Sequence, residues 1–375
     1  MTGSDRLLSF FAGRGCEMPA ISLLQPADPF LDTAGEDLRR RIFITADQSG
    51  ATLCLRPEFT IPVCLLHLER ANGPARYGYT GTVFRQRRDE PNEFRQAGIE
   101  DLGNPDRVEA DIASLSDCLS ALQELGVGNP RLTLGDQSIF EAVLKGLDLP
   151  SAWQKRLSRA FGDRALLSAD VARLSGEGQV ESSSLAPEVA AMLGKHNRKG
   201  LESWIAARIA VSGLSGGRTA AEIATRLMEK AELAAVRLDE AHRLALEAFL
   251  GLECLATDAP ARLGTLAKEH GLAISDSVSA FASRISRLKE AGSLPSDARY
   301  RASFGRRLDY YTGLVFEVSD EGAGKPLAGG GRYDRLMTLL GAGQEVPAVG
   351  FSIWLDRVAQ SVAKTRPGSK AEDSA

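Results

Sequence analysis

The chain lacks most of what would announce a ready-made chemistry. Its five cysteines (Cys16, Cys54, Cys64, Cys118, Cys254) form no CxxC pair and no Cys/His ligand spacing, so they read as reduced, mostly buried thiols. Histidine is scarce as well. His67, His196, His242 and His270 show neither metal spacing nor a triad with a serine or cysteine nucleophile, and each reads as structural. No metal and no cofactor are expected. No apolar run approaches the length of a membrane span, and the N-terminal apolar stretch is too short for a secretory leader. A strong charge is missing too: at a net −4 the chain offers no broad basic surface for neutralising phosphates, although Arg85, Arg87, Arg88 and Arg95 cluster locally. These absences point to a cytoplasmic protein with neither a membrane nor a nucleic-acid partner.

What is present is an ordinary globular composition over 375 residues, 43% hydrophobic and 25% charged, with room for two or three domains. Residues 1–145 mix strand-like runs (TLCLRPEF, RYGYTGTVFRQ, RLTLGD) with a helix over 106–125, for which Asp106 is the expected N-cap. From 146 to 290 the period turns helical. Thr219 and Glu222 form a capping-box pattern there, and Ile223, Leu227, Ala231 and Leu238 recur on one face. The segment SGLSGG at 212–217 reads as a linker within this block, and AGSLPSD at 291–297 as one after it. Strand-like runs return at 299–319, followed by the glycine-rich turn GAGKPLAGGGRYD and a helix at 333–341; 366–375 has the composition of a flexible tail. Two strand-rich blocks around a helical one imply an α+β fold whose single sheet spans 1–145 and 291–365, interrupted by a helical insertion at 146–290.

The segment 84–100 (FRQRRDEPNEFRQAGIE) reads as a β-hairpin around a polar, proline-containing loop. Alternation puts Phe94, Gln96, Gly98 and Glu100 on one face, where Gln96 and Glu100 can meet one ligand. A carboxylate in so apolar a strand needs a donor: a structural ion pair is the commoner reading and a cationic ligand the other. In LDYYTG, read as a strand, only one of Tyr310 and Tyr311 faces a given pocket. GGGRYD lacks the GK[ST] of a phosphate-binding loop and fits a tight turn that lets backbone approach a ligand.

Four segments, LRPEFT at 55–60, FRQRRDEPNEFRQAGIE at 84–100, RRLDYYTGLVFE at 306–317 and GGGRYD at 329–334, together with PAVGFSIWLDR at 347–357, resemble the class II core of histidyl-tRNA synthetases. That resemblance implies an antiparallel sheet flanked by helices and a pocket for L-histidine. Within it, Glu58 and Thr60 would hold the α-amino end with Gln96 nearby, and Arg85 and Arg306 would face the carboxylate or an adenylate phosphate. Glu100 and Tyr311, beside Tyr310, would read the two imidazole nitrogens, and Tyr333 would close the pocket.

The departures from that family bear on nucleotide chemistry. Arg87 stands where adenylate-forming members carry a glutamate, the hairpin loop is shorter, Arg307 replaces a glycine, and Trp354 replaces the small residue before Leu355, Asp356 and Arg357. An indole there would fill or reshape a base site. Arg87, Trp354 and Arg357 thus mark a degenerate nucleotide site, and the few residues after Arg357 leave no room for an anticodon-binding domain. In this combination the chain resembles the regulatory subunits of ATP phosphoribosyltransferase. By that resemblance it would be a non-catalytic subunit that binds L-histidine and activates and feedback-regulates a short-form catalytic subunit in the first step of histidine biosynthesis. It would form a homodimer within a hetero-octamer. The alternatives are a truncated histidine-adenylating enzyme and a synthetase-like module that binds tRNA or another partner.

Overall fold

In the computed structural model of the chain, residues 3–33, 36–70, 73–176, 186–195, 197–212, 219–306, 310–320 and 325–365 are described. Arg307, His196, the linker residues 213–217 and the tail at 366–375 lie outside them. After α1 (Gly3–Gly13) comes a small antiparallel sheet of β1 (Leu24–Pro26), β2 (Ile44–Ala46) and β3 (Thr52–Leu55), ordered β1-β3-β2, with α2 (Asp28–Thr33) and α3 (Glu36–Arg39) between its strands. Arg56 ties this sheet to the rest of the molecule. Its guanidinium donates to Ile21 O at 2.6 Å and to Thr82 O at 2.7 Å, and lies 3.8 Å over the Phe59 ring. α4 (Thr60–Arg70) follows directly.

The main sheet begins with two ten-residue strands, β4 (Ala75–Phe84) and β5 (Glu93–Leu102), antiparallel around the polar loop expected from the sequence. α5 (Arg107–Glu124), β6 (Pro130–Asp136) and α6 (Gln137–Gly146) complete the first block. Asp106 caps α5 as expected, its carboxylate accepting Glu109 N–H at 2.9 Å. Asp106→Ala is expected to remove about 1 kcal/mol from urea unfolding.

The region 146–290 holds α7 (Ser151–Ala160), α8 (Arg164–Leu174), α9 (Pro187–Gly194), α10 (Arg198–Ser212), α11 (Ala220–Ala235), α12 (Glu240–Leu250), α13 (Ala259–His270) and α14 (Ser275–Glu290), and also one strand, β7 (Glu253–Leu255). Two points depart from the sequence reading. The region is not helical throughout, because β7 pairs at the edge of the main sheet, where period-2 patterning over three residues leaves no visible signal. Leu238 does not share the face of Ile223, Leu227 and Ala231: α11 ends at Ala235, and Leu238 packs on the main core. The expected capping box between Thr219 and Glu222 is present. α9 to α11 surround a small core of their own (Val189, Leu193, Leu201, Ile205, Ala224), whereas α7, α8 and α12 to α14 pack on the main core.

The last block supplies β8 (Arg299–Arg301), β9 (Leu314–Asp320), β10 (Ala328–Arg332), α15 (Arg335–Leu339), β11 (Ala348–Trp354) and α16 (Leu355–Thr365). The eight strands run in the order β4-β5-β11-β10-β9-β6-β8-β7, antiparallel except for β6 with β8. Both strand-rich blocks therefore enter one sheet. Alternation sorts side chains between its faces: Ala97, Ile99, Phe351 and Ile353 join the core that includes α5, and Phe94, Leu102, Ala348 and Trp354 join a second core with Tyr77, Tyr79, Tyr310 and Tyr333. Gln96 and Glu100 share the parity of the second set.

Candidate functional site

Nine side chains singled out in the sequence, Glu58, Thr60, Arg85, Gln96, Glu100, Arg306, Tyr310, Tyr311 and Tyr333, line one cavity, which Trp354 also borders. Its volume is 40 Å³, room for about three waters. Glu58 sits just ahead of α4. Its oxygens accept the Thr60 and Ile61 N–H groups at 2.6 and 2.9 Å, where a carboxylate is favoured by the unpaired donors of a helix start. Burial raises its pKa, against those hydrogen bonds and the Arg85 charge.

Glu100 is 1% exposed. Its Oε1 accepts Thr60 Oγ1–H at 2.7 Å and Tyr79 O–H at 3.3 Å, and its Oε2 accepts Tyr333 O–H. Among the described residues no cation pairs with it, so the ion-pair reading fails: hydroxyls, not an arginine, solvate this carboxyl. Burial, reinforced by the charge of Glu58, pushes Glu100 up to about 8, with the hydroxyl contacts opposing. The pocket thus holds a carboxyl that is mostly protonated at neutral pH.

Glycines make these contacts possible. Gly350 pairs with Glu100 across β11 and β5, and a Cβ there would lie 1.8 Å from Glu100 Oε2. A Cβ on Gly98 would lie 2.5 Å from Tyr79 Oη, and one on Gly329 1.6 Å from an Arg306 guanidinium nitrogen. Gly330 lets β10 approach β11, since its Cβ would meet Gly350 O at 2.2 Å.

The remaining polar groups are incompletely used. Gln96 is 1% exposed, and among the described residues its side-chain oxygen has no hydrogen-bond partner, nor has Arg306 Nε. Arg85 Nε donates to Pro57 O at 2.7 Å, and burial lowers its pKa. Tyr310, Tyr311 and Tyr333 form a ring cluster with centroids 5.2, 5.8 and 6.4 Å apart. The expectation that only one of Tyr310 and Tyr311 meets the pocket is incorrect. Both precede β9 in non-strand backbone, where alternation does not apply.

On the other side of Trp354 opens a groove of 1060 Å³ that includes Arg87, Glu90, Phe94, Lys325 and Arg357. Its aromatic faces are covered by the chain's own cations: Arg87 lies 3.4 Å over Phe94, and Arg357 5.0 Å over Trp354. Glu90 links them. It accepts from Arg357 Nε and Nη2 at 3.0 and 2.9 Å and from Arg87 at 3.3 Å, with Lys325 Nζ at 3.5 Å. The Arg357 hydrogen bonds hold Glu90 below its ordinary pKa. Sequence reasoning missed Glu90, because nothing local distinguishes it from Asp89 and its partner Arg357 is 267 positions away.

The family model for histidyl-tRNA synthetase matches residues 2–232 and 220–358. The chain is 49% identical over 365 residues to the ATP phosphoribosyltransferase regulatory subunit of Rhizobium meliloti (strain 1021), covering 96% of each chain. It is 50% identical over 357 residues to that of Mesorhizobium japonicum, covering 94% of this chain and 95% of the relative. Among solved structures, an ATP phosphoribosyltransferase regulatory subunit/histidyl-tRNA synthetase from Bacillus halodurans superposes with a TM-score of 0.69 at 20% identity, covering 96% of this chain and 78% of that one. The histidyl-tRNA synthetase of Nostoc sp. PCC 7120 gives a TM-score of 0.62 at 16% identity, covering 96% of this chain and 71% of that one. The fold is therefore that of the class II synthetases, and the chain belongs to the family of ATP phosphoribosyltransferase regulatory subunits.

Proposed function

We propose that the chain senses L-histidine in the cavity around Glu100 and transmits its occupancy to a short-form ATP phosphoribosyltransferase catalytic subunit, activating it and setting its feedback inhibition. One observation carries this reading: a buried carboxyl and a buried Gln96 oxygen, which among the described residues have no cation and no hydrogen-bond partner respectively, share a cavity with Arg85 and Arg306. Histidine brings the complementary groups. Its carboxylate suits the arginines, its ammonium suits Gln96, Thr60 and Glu58, and its two ring nitrogens suit Glu100 and Tyr311. A 40 Å³ space is small for an amino acid, so in this reading side chains around the cavity shift as the ligand enters. Binding and rearrangement are then one event, and a tenfold preference of histidine for the inhibited arrangement supplies about 1.4 kcal/mol per site. The assembly in this reading is a homodimer within a cytoplasmic hetero-octamer.

The test is to titrate L-histidine calorimetrically into the full chain, and to assay phosphoribosyl transfer by the reconstituted complex against histidine concentration. Saturable binding with matching inhibition is expected. Its absence at millimolar histidine removes this reading.

In the neighbouring groove, the Arg87–Glu90–Arg357 clamp and Trp354 fit a nucleotide site that has lost its function. Their cations are spent on an internal carboxylate. Histidine-dependent exchange of pyrophosphate into ATP is accordingly expected at background level, and exchange above background would return the chain to an adenylating reading.

A further inference from the structure

Asp111, fully buried in α5, joins two distant parts of the fold. Its Oδ2 accepts Arg284 Nε from α14 at 2.5 Å, and its Oδ1 accepts Arg332 Nε, at the end of β10, at 2.8 Å. Arg332 is used on all sides: its other nitrogens donate to Asp334 Oδ1 at 2.7 Å and to Arg107 O at 2.8 Å. Asp334 Oδ1 in turn accepts Ala348 N–H at 2.8 Å. Arg284 also lies within electrostatic reach of the buried Asp136, whose Oδ2 has no hydrogen-bond partner among the described residues.

The residue between Arg332 and Asp334 is Tyr333. Its N–H donates to Ala348 O at 2.8 Å and its hydroxyl to Glu100. Both chain neighbours of this pocket tyrosine are therefore pinned by full charges in a region closed to solvent, where an ion pair left without one partner is strongly unfavourable. Without Arg284, the Asp111 charge leans on Arg332 alone, which also serves Asp334, a carboxylate that Arg107 approaches at 3.3 Å. The backbone that aims Tyr333 then loses its fixed frame. Main-chain hydrogen bonds keep the strand in place, so the expected result is a misaimed ring rather than an unfolded sheet.

We infer that Arg284 is a positioning residue for the pocket: through Asp111 and Arg332 it fixes Tyr333, and so couples the helical region at 146–290 to the ligand. The inference rests on the histidine reading only for the identity of the ligand. A displacement of α14 by a bound partner would reach Glu100 by this route, over two ion pairs and one hydroxyl.

The test has two arms on the full chain. In the first, histidine affinity is measured for Arg284→Met, Tyr333→Phe and the double variant. Each single change is expected to weaken binding about tenfold, and the double change little more than either alone, because both act through one contact. Arg284→Lys should recover most of the loss. Additive losses would assign Arg284 a merely structural role and overturn the inference. In the second arm, the unliganded chain is labelled with 3-fluorotyrosine. Arg284→Met should shift the fluorine resonance of Tyr333, assigned with Tyr333→Phe, and leave that of Tyr77 in place. An unmoved Tyr333 resonance would overturn the inference whether or not histidine binds. Absence of histidine binding in the unsubstituted chain would remove the ligand assignment, while the fluorine arm still decides the coupling.

Discussion

Glu100→Gln is expected to abolish saturable histidine binding and, at the same time, to stabilise the unliganded protein in mild alkali. The two effects share a cause. In the fold the carboxyl is pushed from its ordinary 4.5 up to about 8 by burial and by Glu58. Between those values the folded state holds a proton that the unfolded state has released, so stability is present below the lower value and is lost as pH rises through the upper one. At 1.36 kcal/mol per unit the loss reaches about 5 kcal/mol as an upper bound. Glutamine stays neutral throughout. It accepts from Thr60 and Tyr333 much as the protonated acid does, yet it cannot ionise to meet an imidazolium. Thermal melts across this range should show a falling melting temperature for the native chain and a nearly flat one for the variant. Parallel pH profiles for the two proteins would mean that Glu100 does not titrate there, and retained histidine affinity would remove Glu100 from the pocket.

Gly350→Ala should damage both the strand pairing and the pocket. The added carbon would lie 1.8 Å from Glu100 Oε2 and 2.7 Å from Ile99 O, the latter a backbone atom within a paired strand. The side chain can swing away, but the strand cannot without weakening the β5 and β11 pairing. A stability loss of about 1–3 kcal/mol is expected from overpacking, together with at least tenfold weaker ligand binding because Glu100 is driven from its hydroxyls. Gly329→Ala provides the contrast. Its methyl would meet the tip of Arg306, a flexible side chain that can move, so ligand binding should fall with little change in unfolding. Equal unfolding curves for Gly350→Ala and the native chain would show that the strand spacing is looser than described.

Much of this was legible in the residues. The hairpin at 84–100 could be read because a polar loop separates two alternating runs, and its parity correctly put Gln96 and Glu100 on one face. Asp106 and Thr219 could be read as caps because capping chemistry is local. The interrupted sheet followed from two strand-rich blocks around a helical one. What escaped was non-local or conformational. Tyr310 and Tyr311 share the cavity because their backbone is not a strand, and periodicity cannot announce its own end. Glu100 has hydroxyls where a structural ion pair was the commoner reading, since Thr60, Tyr79 and Tyr333 converge on it only through the tertiary fold. The Glu90 clamp and the Asp111 network join residues more than two hundred positions apart in the chain, where no spacing rule reaches.

That separation has a kinetic side. Tyr333 and Glu100 are 233 positions apart, and Tyr79 and Phe351 272, so the pocket cannot exist until β5 has found β11 across nearly the whole chain. Contacts of such sequence separation carry the loop-closure cost that slows folding. Any ligand held there binds only the finished molecule, and at a hundredfold excess over Kd it adds about 2.7 kcal/mol to the stability of the entire chain. Loss of the ligand would thus both empty the pocket and shorten the lifetime of the protein that carries it.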